Sequence, residues 1–312
     1  MNETIKMENA TLTTEFILLL FSENLHQQFL ISVMVLLAFL MSMLGNLGFL
    51  TLMWTNHHLH TPMYFFLSNL SLIDICNTSV TLSTLLNNLF TGKACISFSL
   101  CMTQLYCFML FLCTEILLLT VMAYDRYVAI CHPLHYVLMM NKKISALLVA
   151  ATWIAGSLEA VPVEVLISNF SFCRSNLINH FFCDTNALIK LSCSDLYDFE
   201  ILIFIDGLII LLFPFVLILI SYISIIKAIL KIQSTDRRRK AFSTCSSHLI
   251  VVSAFYGSLS CMYLRPPSMY SPQLDKLFSL LYTVLIPMLN PIIYSLRNQD
   301  VKNALKKFRF GK

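Results

Sequence analysis

Apolar residues are concentrated in long stretches along this chain, and short polar segments separate the stretches. Most stretches are near 20 residues or longer, which is the length that a helix needs to cross a bilayer. The pattern predicts seven membrane-spanning helices, at about Phe29–Trp54, Pro62–Leu86, Cys95–Val128, Ile144–Val165, Phe199–Leu230, Lys240–Leu264 and Leu274–Leu296. We therefore expect an all-α membrane protein built as a seven-transmembrane helix bundle.

A further short helix is predicted after the last span, where apolar and basic residues alternate at helical spacing. Its two faces are formed by Val301, Leu305 and Phe308 and by Lys302, Lys306 and Lys307. Such an amphipathic segment is expected to lie on the membrane surface. We interpret residues 1–312 as one seven-span domain, with an extracellular tail over residues 1–25 and a cytoplasmic tail over residues 298–312.

Composition supports this class, because 57% of the residues are hydrophobic and only 12% are charged. A soluble domain carries about 25% charged residues. The net charge of +4 gives no reason to expect a nucleic-acid partner. The polar and acidic N-terminus lacks the pattern of a cleavable signal peptide, so the first span is expected to direct its own insertion.

The basic residues are distributed unevenly over the loops between the spans. An N-terminus outside the cell places fifteen lysines and arginines on the cytoplasmic side and six outside. This excess agrees with the positive-inside rule. Two glycosylation sequons, at Asn2 and Asn9, independently favour the same orientation. We therefore predict a multi-pass plasma-membrane protein with an extracellular N-terminus.

Four of the eleven cysteines, Cys95, Cys173, Cys183 and Cys193, fall on the predicted outer side, where disulfides persist. Four cysteines allow three pairings, and their spacing does not choose among them. A zinc site at Cys173, His180 and Cys183 is the less favoured alternative, because the ligand spacing is irregular and the site is extracellular.

The third apolar stretch closes with the triplet Asp125-Arg126-Tyr127. An arginine at the end of a membrane helix is costly unless it reaches the interface or finds a partner. Asp125 supplies the nearest negative charge. Taken alone, such a pair would only mark where the helix leaves the bilayer.

Several longer motifs along the chain accompany this triplet and can be compared with those of known families. They are Gly45-Asn46, LHTPMYFFLSNLSLID from Leu59 to Asp74, MAYDRYVAICHPLHY from Met122 to Tyr136, INHFFCDTNALIKLSCSD, Ser221-Tyr222, KAFSTCSSHL from Lys240 to Leu249, Phe255-Tyr256-Gly257, and PMLNPIIYSLRN from Pro287 to Asn298. In this order and at these separations, the motifs resemble those of vertebrate olfactory receptors, a branch of the rhodopsin-like G-protein-coupled receptors. The resemblance covers nearly the whole chain.

The resemblance implies a non-enzymatic receptor with an odorant pocket on the extracellular side. It also implies cytoplasmic coupling to a stimulatory heterotrimeric G protein that raises cyclic AMP. The family pattern pairs Cys95 with Cys183 and Cys173 with Cys193. The first bridge would tie the long loop over the third helix and form a lid on the pocket.

Helix geometry connects the expected pocket with the triplet. Phe108 and Arg126 are eighteen residues apart on the third helix. This spacing corresponds to five turns, or roughly 27 Å, so the two residues share a face. On the sixth helix a stripe at helical spacing would usually be packing, but the resemblance assigns it to the pocket. The expected contacts of the odorant are Phe108, Met109, Leu112 and Cys113 on the third helix, and Tyr256, Leu259, Ser260 and Tyr263 on the sixth.

Two acidic residues, Asp74 and Glu115, lie inside predicted spans, where ionisable groups are functional by default. In the family they line a polar cavity that holds a sodium ion, with Asn46 and Asn290 nearby. Two adjacent carboxylates do not both ionise cheaply without a cation or a proton between them. The alternative is that one carboxyl is protonated and hydrogen-bonded to the other.

The start of the sixth helix is basic from Arg237 to Lys240, and Asp236 is its only acid. A lock between Arg126 and an acidic sixth helix is therefore not expected, and Asp125 is the expected resting partner of Arg126. In line with the family, the candidate polar partners around it are Tyr222, His248 and Tyr294.

Asp206 lies about two helical turns before Pro214, in the outer half of the fifth span. We expect no lysine or arginine in the outer half of any span to neutralise it, while Glu159 and Glu164 add acid on the same side. A carboxylate there is costly unless it is paired, hydrated or protonated. One interpretation is a protonated, hydrogen-bonded structural acid. The other is a counter-ion for a cationic or strongly hydrogen-bond-donating odorant.

Other function classes are less well supported. A transporter or channel predicts internal repeats or matched interrupted helices, and no repeat is visible in the sequence. An intramembrane hydrolase needs a nucleophile and its partner on facing helices, and no such paired motif stands out. A rhodopsin-like receptor for a non-odorant small molecule is the main alternative.

Overall fold

The computed structural model describes residues 14–19, 25–91, 94–173, 175–263, 271–297 and 301–302. The predicted glycosylation sites Asn2 and Asn9 lie outside these residues. Within the predicted C-terminal helix, Val301 and Lys302 are described, and both are helical. Val301 is buried and Lys302 is exposed, as expected for one apolar and one basic face.

Seven helical segments among the described residues are long and apolar enough to cross a membrane, as the sequence predicts. Hydropathy alone determines where they lie, because a bilayer accepts only long apolar segments whose backbone is hydrogen-bonded internally. In chain order the helices are α1 (Leu25–Thr55), α2 (Pro62–Thr91), α3 (Phe98–Cys131), α4 (Tyr136–Met139), α5 (Lys142–Ser168), α6 (Thr185–Ile189), α7 (Tyr197–Asp206), α8 (Phe213–Leu230), α9 (Thr235–Tyr263), α10 (Pro272–Leu280) and α11 (Ile286–Arg297).

We number the membrane spans from first to seventh. The first, second, third, fourth and sixth spans are, respectively, the helices α1, α2, α3, α5 and α9. The fifth and seventh spans are interrupted by π-helical turns. In the fifth span Gly207–Leu212 joins α7 to α8, and in the seventh Leu281–Leu285 joins α10 to α11. Such turns shift the register of the helix and often accompany functional sites.

The third span lies in the middle of the bundle, where it packs against the second, fourth, fifth and sixth spans. Its approach to the fourth span depends on a small residue. A Cβ atom at Gly156 would overlap the Thr114 hydroxyl and lie 3.0 Å from the Leu110 carbonyl oxygen. Small residues allow membrane helices to approach this closely.

Large apolar side chains face outward along several spans, as expected where lipid replaces water. Leu44 in the first span is 71% exposed and Phe204 in the fifth is 67% exposed. Polar side chains lie inside instead, and they include Asn46, Asp74 and Glu115. The bundle therefore has a lipid-facing apolar surface and a partly polar interior.

A small sheet closes one end of the bundle. Its strands are β1 (Glu15–Leu18), β2 (Cys95–Ser97) and β3 (Leu177–Ile178), and β1 lies between the other two. β1 runs antiparallel to β2 and parallel to β3, so the N-terminal segment holds two loops together. We call this end, which also carries both disulfides, the disulfide end. The opposite end, where Arg126 lies, is the arginine end.

The bridge between Cys95 and Cys183 that the resemblance implied is wrong. The structure joins Cys183 to Cys101, with their Cα atoms 5.5 Å apart, and Cys95 is free and exposed. The sheet explains the difference: Cys95 belongs to β2, whereas Cys101 lies one turn inside α3 and is fully buried against the loop. Cys173 and Cys193 are joined, with their Cα atoms 5.9 Å apart.

The disulfides also decide against the zinc alternative. Both candidate sulfur ligands, Cys173 and Cys183, belong to disulfides and have no free thiolate. Among the described residues, no group of three histidine, cysteine or acidic side chains is arranged to hold a metal ion. His180, the third candidate ligand, instead bonds to Ser279 in the seventh span.

Candidate functional site

The loop that follows the fourth span forms a lid at the disulfide end. His180, Phe181 and Phe182 in this loop are at most 2% exposed. His180 Nε2 lies 3.1 Å from Ser279 Oγ, which joins the lid to the seventh span. Burial disfavours the charged imidazole and Lys276 repels it, so the pKa of His180 is lowered to about 3. The ring is therefore neutral at physiological pH.

Gln104 in the third span is hydrogen-bonded to the same lid on the side that faces the bundle. Its Oε1 accepts a hydrogen bond from the Cys183 backbone N–H at 2.9 Å. Its Nε2 donates to the Val80 carbonyl oxygen at 2.7 Å and to Thr84 Oγ1 at 3.0 Å in the second span. One buried amide thus connects the lid, the third span and the second span next to the Cys101–Cys183 disulfide.

Aromatic rings fill the space directly under the lid. The Phe108 ring lies 5.1 Å from that of Phe182 and 5.6 Å from that of Tyr282, between ring centroids. Sequence reasoning identified Phe108 but missed the other two. Phe182 lies beside Cys183 in a motif that the resemblance already used, and this proximity is a signal that could have found it. Tyr282 lies in the π-helical turn of the seventh span, for which the sequence has no signal.

Most of the predicted pocket residues meet in one buried cluster. Phe108, Leu112, Tyr256 and Leu259 belong to the main hydrophobic core, and Met109 packs against it. Two others lie on the same spans: Cys113 is buried on the third span, and Ser260 is half-buried on the sixth. The side chain of Tyr263 lies outside the described residues.

Asp206 in the fifth span has an acidic neighbour. Its carboxyl group is hydrogen-bonded to that of Glu159 in the fourth span, which requires a proton on one of the two acids. Asp206 is half-buried, and its Oδ2 has no hydrogen-bond partner among the described residues. Cys113, one of the predicted pocket residues, lies within electrostatic reach of both acids. The pair therefore borders the predicted pocket.

The expectation that the outer halves of the spans lack a basic residue is wrong. Lys276 lies in α10 of the seventh span and is 5% exposed. Its Nζ donates a hydrogen bond to the Leu19 carbonyl oxygen at 2.8 Å, beside β1. Leu274 and Leu277 on either side follow the apolar pattern, so only the packing of the N-terminal segment shows that this lysine is enclosed.

A polar centre lies deeper in the bundle, between the first, second, third and seventh spans. Asn290 Nδ2 donates to Asp74 Oδ2 at 2.9 Å, and Asn46 Nδ2 donates to the Pro287 carbonyl oxygen at 3.0 Å. Asp74 and Glu115 are close enough to repel each other. Four buried oxygens have no hydrogen-bond partner among the described residues: Asp74 Oδ1, Glu115 Oε1, Asn46 Oδ1 and Asn290 Oδ1.

The triplet at the arginine end is largely buried. Asp125 is 2% exposed and accepts a hydrogen bond from Tyr136 Oη at 2.9 Å. Burial and the nearby carboxylate raise the pKa of Tyr136, so the phenol stays protonated and remains a donor. Arg126 is 8% exposed, and its Nε has no hydrogen-bond partner among the described residues. Sequence reasoning placed Arg126 beside Asp125 but did not foresee the role of Tyr136 in α4.

The remaining predicted partners surround Arg126 from other spans. Tyr222 Oη lies 2.7 Å from His248 Nδ1, and the two rings stack at an interplanar angle of 10°. Tyr222 and His248 both lie within electrostatic reach of Arg126. Tyr294 is buried between this group and the polar centre, and its hydroxyl has no hydrogen-bond partner among the described residues. The structure therefore brings together the arginine-end residues that the sequence singled out.

The architecture is that of rhodopsin. It combines a seven-helix bundle, a lid tied to the third span and an enclosed arginine at the other end. The crystal structure of squid rhodopsin matches this fold with a TM-score of 0.71 and 16% sequence identity. The match covers 92% of this chain and 82% of the rhodopsin chain. At this identity the similarity concerns the fold alone.

Sequence comparison identifies the family. Residues 35–312 match the profile described as olfactory receptor. Olfactory receptor 1G1 of Gorilla gorilla gorilla is 49% identical over 300 residues, which cover 96% of each chain. Olfactory receptor 1C1 of Homo sapiens is 47% identical over 303 residues, which cover 97% of this chain and 96% of the relative. The chain belongs to the olfactory receptor family, a family of multi-pass membrane receptors and not of enzymes.

Proposed function

We propose that this protein is an odorant receptor that binds small volatile ligands under the lid and activates a stimulatory heterotrimeric G protein, which raises cyclic AMP. The observation that carries the proposal is the continuous third span, Phe98–Cys131. It presents Phe108 to the aromatic space under the lid and Arg126 at the other end. A ligand that moves this helix acts on both ends, because a packed helix transmits displacement along its length.

The proposed orientation has the disulfide end outside the cell and the arginine end in the cytoplasm of a plasma-membrane receptor. Two observations support it. Both disulfides lie at one end, and disulfides persist in oxidising compartments. Exposed basic residues collect at the other end, where Lys142, Lys143 and Arg238 lie, in agreement with the positive-inside rule.

The signalling part of the proposal is tested by replacing Arg126 with alanine. In cells that express the receptor, Arg126→Ala should lower the odorant-induced cyclic-AMP response by at least about tenfold, within the usual range of allosteric coupling. Arg238→Ala, which removes an exposed charge at the same end, is the matched control. Surface labelling verifies that both variants reach the membrane. A full response from Arg126→Ala at normal surface level would refute this role.

We also propose that the polar centre holds a sodium ion. The four unpartnered oxygens of Asp74, Glu115, Asn46 and Asn290 support it, because carboxylate and amide oxygens suit a hard cation. A cation would also offset the repulsion between the two carboxyl groups. Sodium chloride should therefore raise the thermal midpoint of the ligand-free receptor above its value in choline chloride at equal ionic strength. Asp74→Asn should remove the difference, and equal midpoints for the unchanged receptor would contradict the proposal.

A further inference from the structure

A groove of about 490 Å³ opens at the arginine end, far from the lid. It lies between the ends of the first and second spans and the start of the fourth span. None of the functions proposed above involves it. Its depth along the first span runs from Leu50 to Trp54, about 6 Å at the rise of an α-helix.

The walls of the groove are apolar and face the side of the bundle. Trp54 is 83% exposed and Phe65 is 41% exposed, while Leu59 forms a buried part of the lining. Side chains of this kind at the lateral surface of a membrane protein contact lipid, and tryptophan favours the level of the headgroups. The groove is therefore open to the bilayer and not only to the aqueous phase.

The end of the groove nearest the aqueous phase is basic. Lys142 lines it and is exposed, and Lys143 follows in the chain. Lys142 is also the first residue of the long helix α5, whose start Asn141 caps by accepting a hydrogen bond from the Ile144 N–H at 3.0 Å. The start of a helix adds partial positive charge to that of the lysines. Among the described residues, none that lines the groove is acidic.

Polar groups also lie within the groove. His60 and Thr61 are exposed in its lining, which they share with Lys142. Ser145 lies deeper and is 2% exposed, and its hydroxyl has no hydrogen-bond partner among the described residues. A buried hydroxyl without a partner is costly and marks a place where an acceptor would be stabilised. The groove thus combines an apolar wall with a cationic, hydrogen-bonding end.

We propose that this groove is a binding site for an anionic phospholipid. The phosphate lies at Lys142, within reach of His60 and Thr61, and an acyl chain lies against Leu50 and Phe65. Charge complementarity selects the anionic headgroup, and the lateral opening selects a lipid over a free phosphate. With the orientation proposed above, the lipid comes from the cytoplasmic leaflet, which carries most of the anionic lipid and attracts basic residues.

The experiment uses the full receptor in bilayer discs of phosphatidylcholine that contain a photoactivatable phosphatidylserine. After irradiation, mass spectrometry should locate the label on peptides covering residues 50–68 and 142–146. Lys142→Ala should lower this labelling by about fivefold, the effect of one lysine that faces an anionic membrane. Lys231→Ala, which removes an exposed lysine at the same end but outside the groove, should leave it unchanged.

A second variant tests the apolar half of the site without changing charge. Ala146→Phe should fill the groove and also lower the labelling, while thermal midpoints verify that each variant is folded. Equal labelling by a photoactivatable phosphatidylcholine, with no effect of Lys142→Ala, would overturn the proposal. Displacement of the probe by soluble glycerol phosphate would instead assign the site to a free anion. The measurement needs neither odorant nor G protein, so its failure is distinct from failure of the proposed receptor function.

Discussion

At the scale of single residues, the acids on the membrane spans of this receptor differ in their partners. Asp74 accepts a hydrogen bond from an amide, and Asp125 accepts one from a phenol. Asp206 shares a hydrogen bond with a second acid, Glu159. A neutral donor does not balance the charge of a carboxylate, and at Asp125 the adjacent Arg126 supplies the opposite charge. The Asp206–Glu159 pair instead holds a proton and remains able to accept a cation. The partner therefore decides what each carboxyl group can do.

The Asp206–Glu159 pair leads to a prediction about the ligand. If it serves as a counter-ion, volatile amines should be more potent than their neutral isosteres by at least about tenfold, as expected for hydrogen bonds to charged groups. Asp206→Asn should remove this preference and spare surface expression. Glu159→Gln is the matched variant, and it should keep the preference because it relieves the repulsion on Asp206. Cyclic-AMP dose–response curves for paired amines and alcohols provide the measurement.

The opposite outcome has a clear meaning. If neutral alcohols, esters or ketones activate best and Asp206→Asn leaves their potency unchanged, the acid pair is structural. Loss of the amine preference in Glu159→Gln alone would assign the counter-ion to Glu159 instead.

At the scale of helices, the contact between the third and fourth spans depends on the absence of a side chain at Gly156. The backbone of the third span near Leu110 and Thr114 occupies the space that a Cβ atom would need. A backbone cannot move aside as a flexible side chain can. Helix separation at this level is therefore determined by one residue.

Replacing this glycine should separate the two spans. Gly156→Ala is expected to cost about 1–3 kcal/mol, the usual range for overpacking, and to lower the thermal midpoint of the purified receptor. Gly48→Ala in the first span is the matched control, because its added methyl group would have no neighbour within 4 Å. It should leave the midpoint unchanged or raise it slightly, since alanine restricts the unfolded chain. An equal decrease in both variants would contradict this account, because alanine favours the helix over glycine and only Gly156 faces a close neighbour.

At the scale of the whole molecule, the disulfide end is closed by segments that are distant in sequence. The Cys101–Cys183 bridge, 82 residues apart in the chain, ties the lid to the third span. β1 joins the N-terminal segment to two loops, and Lys276 joins the same segment to the seventh span. These contacts make the lid part of the bundle and not a separate loop.

The identity of the bridged cysteine has a direct test. Cys101→Ser should cost about 2–5 kcal/mol, the usual effect of removing a native disulfide, and should lower surface expression and odorant response. Cys95→Ser, which removes a free and exposed thiol, should change neither. Peptide mapping without reduction should recover Cys101 joined to Cys183. Recovery of Cys95 joined to Cys183, or a loss of response in Cys95→Ser, would contradict the structure.

The sequence by itself determined the positions of the seven spans, because hydropathy is a local property and the bilayer fixes the length that it must cover. It also determined the family, through motifs whose order and spacing are themselves sequence properties. The shared face of Phe108 and Arg126 followed from the helix repeat alone.

Only the tertiary structure decided which residues meet across spans. Three contacts depend on how each helix is rotated against its neighbours. They are the disulfide of Cys101 in place of Cys95, the pairing of Asp206 with Glu159, and the enclosure of Lys276 beside Leu19. The π-helical turn that carries Tyr282 changes that rotation within a single span. Rotation is set by packing between side chains far apart in the chain, and one-dimensional hydropathy carries little information about it.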